Sequence, residues 1–133
     1  MGSYPHARRV GDLLFLSGVG PRIAGSGGGD SKVPGLELTA DGEIVKYDIA
    51  QQVHSVFSNV KSILEASGSS WEELVDVTVF LTNMSRDFAE FNRIYAEYFS
   101  NHGDKRPCRT TVEINCLPTP IAIELKCIAT IKS

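Results

Sequence analysis

Pro107-Cys108-Arg109-Thr110-Thr111-Val112-Glu113-Ile114, followed by Leu117-Pro118 and Ile121-Ala122-Ile123-Glu124-Leu125-Lys126, decides how the rest of the chain is read. Both runs alternate in polarity, the pattern of strands with one buried face. The proline-bounded segment 117–120 between them reads as the turn of a β-hairpin. Side chains alternate across a strand, so Val112, Ile114 and Cys116 fall on one face and Arg109, Thr111, Glu113 and Asn115 on the other. In the second run Ile121, Ile123, Leu125 and Cys127 share a face, with Glu124 and Lys126 opposite. A hairpin would place an arginine and a carboxylate on the polar faces of paired strands, close enough to serve one small molecule. A solvated face or a cross-strand ion pair is the plainer alternative.

Working outward, residues 101–106 form the loop into this stretch. Before them Phe88, Phe91, Ile94, Tyr95, Tyr98 and Phe99 recur at helical spacing, which predicts a helix beginning near Asp87 with Glu90 completing a capping box. Asn92 lies near this aromatic stripe, where an amide needs a partner. The valine-rich run 74–82 reads as a buried strand, and 70–73 as a capping-box pattern forming one helical turn. Ile49, Val53, Val56, Phe57, Val60, Ile63 and Leu64 make the clearest amphipathic helix, capped by Asp48 with Gln51 at the box position and ended by Gly68. His54 sits beside that stripe as a structural residue. Residues 43–47 read as a short strand after the Asp41-Gly42 turn, 21–42 as loop, and 13–18 as a strand entered through Gly11-Asp12. The order β-β-α-β-α-β-β in one domain, residues 1–133, predicts an α+β fold with two helices on one face of a mixed sheet. Val112 and Ile114 are then expected against the helices, with Thr111 and Glu113 turned toward an interface.

The bulk numbers exclude several classes. A chain of 133 residues, 42% hydrophobic and 22% charged, can bury a sizeable core in one soluble domain. Its net charge of −3 gives no basic field for nucleic acid. No apolar run approaches the roughly 20 residues of a membrane span, and the lack of an apolar leader makes the cytoplasm the expected location. Cys108, Cys116 and Cys127 lack paired spacing; the last two fall on apolar strand faces, as buried thiols do. Cys108 stands beside Arg109, where a thiolate can be activated, but no histidine is near in sequence. His6, His54 and His102 are dispersed, so no metal site is expected. Gly18-Val19-Gly20 lacks the third glycine of a dinucleotide turn, and the glycine run 25–30 lacks the Gly-Lys-Ser/Thr ending of a P-loop. That run reads as a surface loop, with a lid over a site as the functional alternative.

The stretch 107–126 resembles the signature of the Rid/YjgF family of enamine and imine deaminases: Arg-x-x-Val-Glu from Arg109 to Glu113, then Leu117-Pro118, then Ile123-Glu124. Tyr4, Ser17-Gly18, Thr78-Val79-Phe80, and Asn92 with Tyr95 and Phe99 fall at matching places over nearly the whole chain. The resemblance implies the chorismate-mutase-like fold, a homotrimer with active sites between subunits, and a hydrolytic deaminase that needs no cofactor. On this resemblance Arg109 grips a substrate carboxylate, which a guanidinium does bidentately. Glu124 orients water and carries protons, and the Thr111 backbone holds the water or the nitrogen. Tyr4, Ser17, Gly18 and Asn92 line the pocket.

Three features depart from generic members. Val19 stands where many carry glutamine, and the glycine-rich segment is longer. Tyr4-Pro5-His6-Ala7-Arg8-Arg9 is similar to the subgroup that includes 2-aminomuconate deaminases, whose substrate carries a second carboxylate. Arg8, Arg9 or Arg22 could neutralise it, with His6 a weaker candidate. The alternatives are a broad 2-iminobutanoate/2-iminopropanoate deaminase and a non-catalytic binding or chaperone-like module. An acidic chain without an aromatic-basic stripe argues against direct RNA binding.

Overall fold

The computed structural model describes residues 4–23, 33–118 and 120–132. Its elements are β1 (Ala7–Val10), β2 (Leu13–Leu16), β3 (Leu36–Leu38), β4 (Ile44–Tyr47), α1 (Ile49–Ala66), β5 (Leu74–Leu81), α2 (Met84–Tyr98), β6 (Cys108–Glu113) and β7 (Ile123–Thr130), with 3-10 turns at Trp71–Glu73 and Gly103–Lys105. Five strands form one sheet in the order β1-β2-β7-β5-β6, and β3 pairs with β4 apart from it. All neighbours in the large sheet are antiparallel except β5 and β6, which are parallel. The expected α+β plan of two helices packed on a mixed sheet is present. Two strands had not been anticipated. β1 lies in the N-terminal lead-in and turns into β2 through Gly11 (φ 60°), and β3 lies in what reads as loop. The glycine run 25–30 lies outside the described residues.

Local chemistry accounts for the helices. Asp48 accepts from the Gln51 amide at 3.3 Å, and Gln51 Nε2 reaches back to Asp48 Oδ2 at 3.0 Å, so two groups secure the first turn of α1. Gly68, at φ 82°, ends it in the left-handed region. Val53, Val56, Phe57, Val60 and Leu64 are fully buried and share one core with Val77, Val79, Leu81, Phe91, Ile94, Ile123, Leu125 and Cys127. His54 is structural: Nδ1 lies 2.7 Å from the Tyr98 hydroxyl. The turn at 71–73 forms, but the Ser70 side chain makes no cap bond.

Helix α2 begins three residues before the expected Asp87. Asn83 takes the cap, accepting from the Arg86 amide at 3.0 Å, and frees Asp87 for the interior. Asp87 lies on the buried stripe one and two turns from Phe91 and Ile94. It accepts from Tyr47 Oη at 2.5 Å and from Arg86 at 3.0 and 3.1 Å. The Arg86 guanidinium also lies 3.8 Å from the Tyr47 ring centroid. Burial and the Asp87 carboxylate push the Tyr47 phenol far above its usual range, so it stays a donor and clips β4 onto α2.

The expected hairpin of residues 107–127 is not formed, because β5 lies between its two strands. The reason is α2: a helical crossover returns the chain parallel to the strand it left, which makes β6 the outer neighbour of β5. The nine residues 114–122 then span two inter-strand spacings, roughly 9.6 Å, well within their reach. The register also reverses the expected faces of β6. Arg109, Thr111 and Glu113 align with Val77, Val79 and Leu81, all buried under the helices. Val112 aligns with Phe80 and is exposed on the other face. β7 keeps its expected faces, with Ile123, Leu125 and Cys127 inward. No helix among the described residues is long and apolar enough to cross a membrane.

Candidate active site

Glu124 aligns with Phe80 and therefore lies on the sheet face away from the helices, whereas Arg109 lies on the helix side. The expected placement of both on the polar faces of two paired strands is thereby overturned. The matched residues instead form two half-sites.

The first half-site is built around a β-bulge. Phe15 pairs with Ile128 and Val19 with Leu125, with three residues between them on one strand against two on the other, so Ser17 and Gly18 carry the extra residue. Bulges re-aim local groups and are common beside active sites. Here the bulge brings Gly18 against the carboxyl of Glu124. A Cβ on Gly18 would sit 2.7 Å from Oε2, so only glycine leaves the carboxyl where it is. Ser17 Oγ donates to the Pro5 carbonyl at 2.6 Å, and its amide donates to His6 O at 3.0 Å, tying the Tyr4–His6 segment to the bulge. Tyr4 itself is exposed. Glu124 forms no ion pair with Lys126, which donates to Leu16 O at 2.5 Å. Burial raises the Glu124 carboxyl above its usual range, and the charge of Arg22 partly opposes this.

Two predictions arise here. Gly18→Ala displaces the end of a flexible side chain at little cost in stability, yet is expected to lower any turnover through Glu124 by tenfold or more, since ångström-scale misplacement costs up to about 10²-fold. An unchanged kcat would remove the carboxyl from the chemistry. The second concerns pH. A folded carboxyl that holds its proton to higher pH than the unfolded one lowers stability as pH rises through that window. Glu124→Gln is therefore expected to melt above wild type at about pH 7 and level with it at about pH 4. The gain is small because the carboxyl keeps part of its hydration. A variant less stable at both pH values contradicts the assignment.

The second half-site lies on the edge strand. Arg109 Nη1 donates to Asn92 Oδ1 at 2.8 Å, and its guanidinium lies 4.7 and 5.5 Å from the Tyr95 and Phe91 ring centroids. A cation on aromatic faces is held without being neutralised. The Tyr95 hydroxyl and Thr111 Oγ1 are buried with no hydrogen-bond partner among the described residues. Orphaned polar atoms flanking a fixed guanidinium ask for a polar guest or water. Burial lifts the Tyr95 phenol to about 12, with Arg109 pulling it down, so it remains protonated at any working pH. Glu113 accepts from the Met84 amide at 2.7 Å, at the start of α2 where negative charge is favoured.

Of the remaining candidates, Cys116 is exposed rather than buried, because it lies beyond the end of β6. Cys127 is buried, and its thiol is pushed up to about 12. Arg8 aligns with Phe15 and through it with Ile128. That is four residues along β7 from Glu124, roughly 13 Å, so the structure does not bring Arg8 to that carboxyl. Arg9 points to the opposite face, and its Nε donates to Gly11 O at 2.9 Å.

Two residues that sequence reading missed matter here. Asn59 Nδ2 donates to the carbonyls of Gly20 (3.0 Å) and Arg22 (2.6 Å), and Ser55 Oγ to that of Pro21 (2.7 Å). The signal was present: Ser55 and Asn59 are four apart on α1 and so share a face. Two clefts, of about 470 Å³ beside Tyr47 and Arg86 and about 450 Å³ beside His54 and Ser55, contain neither Arg109 nor Glu124.

Comparison with known proteins agrees with this architecture. The family described as Endoribonuclease L-PSP matches residues 1–131. A RutC family protein of Pyrococcus horikoshii is 40% identical, covering 97% of this chain and 87% of its own length. The chloroplastic Reactive Intermediate Deaminase A of Arabidopsis thaliana is 33% identical, over 98% of this chain and 60% of its own. The solved structure of the YjgF gene product of E. coli superposes with a TM-score of 0.79 at 30% identity, covering 99% of this chain and 91% of that one. The chain therefore belongs to the Endoribonuclease L-PSP family, the Rid/YjgF family whose signature its last quarter carries.

Proposed function

We propose that this protein is a cofactor-independent hydrolase acting on C–N bonds, releasing ammonia from a 2-aminomuconate-type enamine dicarboxylate or its imine to leave the 2-oxo acid. The observation that carries this is the pair of half-sites: a guanidinium seated on aromatic rings at the sheet edge, and a half-buried carboxyl against the Gly18 bulge. Because they occupy opposite faces of one sheet, a substrate reaches both only where two copies meet. This favours a homotrimer with sites between subunits. Arg109 holds the carboxylate next to the reacting carbon, with Asn92 fixing the guanidinium. Glu124 takes a proton from water as oxygen attacks C2 of the imine. It delivers that proton to nitrogen to give the carbinolamine. It then takes the proton of the new hydroxyl and delivers it to nitrogen as the C=O bond forms and the C–N bond breaks, so that imine and water become oxo acid and ammonia with Glu124 restored. A carboxyl with a raised pKa suits this two-way traffic. The deaminase named among the relatives supports the reaction class. An RNA substrate, which the family name suggests, finds no cationic field on a chain of net charge −3.

The test is ammonia release from freshly generated 2-aminomuconate and 2-iminopropanoate, by wild type and Arg109→Ala. Wild-type acceleration of either, lost in the variant, supports the reading. The preferred substrate then separates the dicarboxylate enzyme from the broad imino-acid deaminase. No acceleration of either rejects deamination of both classes.

A further inference from the structure

Consecutive residues of β7 each hold one point of the Leu16–Val19 segment that carries the bulge. The Glu124 carboxyl lies against Gly18, whose absent Cβ would sit 2.7 Å from Oε2. Leu125 exchanges backbone bonds with Val19 at 2.8 and 2.9 Å. Lys126 Nζ donates to the carbonyl of Leu16 at 2.5 Å. Ser17 is tied from the other side, to Pro5 and His6. Leu16 stands where the register of β2 on β7, Leu13 to Phe15 against Thr130 to Ile128, gives out. A bulge disrupts the ladder locally, and an ammonium with three donors on a flexible stem can reach a carbonyl beside the break. The choice of partner is informative. Glu124 and Lys126 pair with Phe80 and Thr78, so they share the sheet face away from the helices, about 6.6 Å apart along the strand. No ion pair joins them among the described residues. Lys126 instead makes its charge-assisted bond to the strand that walls the carboxyl in.

We propose that Lys126 is a positioning residue for Glu124: its ammonium clamps the Leu16 carbonyl, fixes the Ser17-Gly18 bulge against β7, and so sets the wall on which the Glu124 carboxyl rests. This rests on the deaminase reading and deepens it, because it says what keeps the acid–base group in register with its substrate. Lys126 touches no substrate and acts through the bulge. The clamp has a task because Gly18 offers no side chain to grip the carboxyl. The place of the carboxyl therefore depends on how closely the Gly18 backbone approaches, and a bulge that opens by an ångström releases it. The Lys126 side chain is otherwise exposed, so replacing it leaves the core intact.

The experiment reads the clamp and the chemistry separately. Residue-resolved amide exchange compares wild type, Lys126→Met and Lys126→Arg, the first substitution keeping the stem and the second a cationic donor. In Lys126→Met the Val19 and Leu125 amides should exchange at least about tenfold faster, with Val56 and Val60 in the core unchanged. Lys126→Arg should recover most of the protection. Ammonia release from 2-aminomuconate and 2-iminopropanoate is then measured in Lys126→Met, Lys126→Arg, Gly18→Ala and the Lys126→Met/Gly18→Ala double variant. Lys126→Met should lower kcat about tenfold with KM within about twofold, because misplacing a reacting group by an ångström carries losses of that order and Arg109 is untouched. Lys126→Arg should restore most of kcat. The double variant should lose little more than Gly18→Ala alone, since both substitutions act through one contact. Unchanged exchange at Val19 in Lys126→Met, or losses that multiply in the double variant, overturns the proposal. If wild type releases no ammonia yet Val19 exchange rises in Lys126→Met, the deaminase reading fails and the clamp on the bulge stands. If ammonia is released and Lys126→Met leaves kcat unaltered, that reading stands and the positioning role falls.

Discussion

Glu124→Gln is expected to lower catalysed ammonia release by about 10²–10⁴-fold, the usual worth of a positioned acid–base group. Glutamine preserves the shape beside Gly18 and can still orient a water, but it neither accepts a proton from that water nor returns one to nitrogen. The loss should appear in kcat, with KM little altered, because the carboxylate anchor at Arg109 is untouched. The same variant is expected to be the more stable protein near neutral pH, since it no longer keeps an ionised carboxyl partly buried. Improved stability with lost turnover is the mark of a functional group held at a cost to the fold. A coupled ammonia assay corrected for spontaneous imine hydrolysis decides the matter. Retention of activity within about fivefold would remove Glu124 from proton transfer, far short of the loss such a group carries.

Phe57→Ala is expected to cost about 3–5 kcal/mol, the range for truncating a fully buried aromatic. Phe57 lies at the meeting point of both helices. Its ring is edge-on to Tyr98 at 4.6 Å, to Tyr95 at 6.2 Å and to Phe91 at 6.3 Å, and tilted against Trp71 at 5.4 Å. A domain of ordinary stability has only about 5–15 kcal/mol in total, so this substitution alone takes the protein near its threshold. The effect extends to the site, because Tyr95 and Phe91 also hold the Arg109 guanidinium, 4.7 and 5.5 Å from their ring centroids. Chemical denaturation measures the loss, and Phe57→Leu should retain a good part of the stability. A loss below about 1 kcal/mol would mean the surrounding rings close the cavity.

Helical periodicity was enough to find α1 and α2, and the stripe from Val53 to Leu64 is the core the structure shows. Strand alternation was a partial guide. It put Glu124 and Arg109 on polar faces, but alternation says which residues share a face and nothing about which strand is the neighbour. That choice came from the α2 crossover, and with it the placement of Arg109 on the helix side of the sheet and the exposure of Val112. Asp87 was assigned to a cap by residue type, although its spacing to Phe91 and Ile94 already put it on the buried stripe. The Gly18 bulge was not legible at all. One additional residue between two paired segments becomes visible only when both partners are known.

The position of β7 also bears on how the molecule is made. It lies between β2 and β5, and its pairing of Leu13 with Thr130 joins residues 117 apart in the chain. The β1–β2 hairpin is synthesised early but has no place to dock until β7 exists, and β5 and β6 wait with an open edge on the same account. Such distant pairing slows folding and leaves unpaired strand edges exposed to other nascent chains in the interval. The sheet therefore closes only when β7 is available to pair with both β2 and β5.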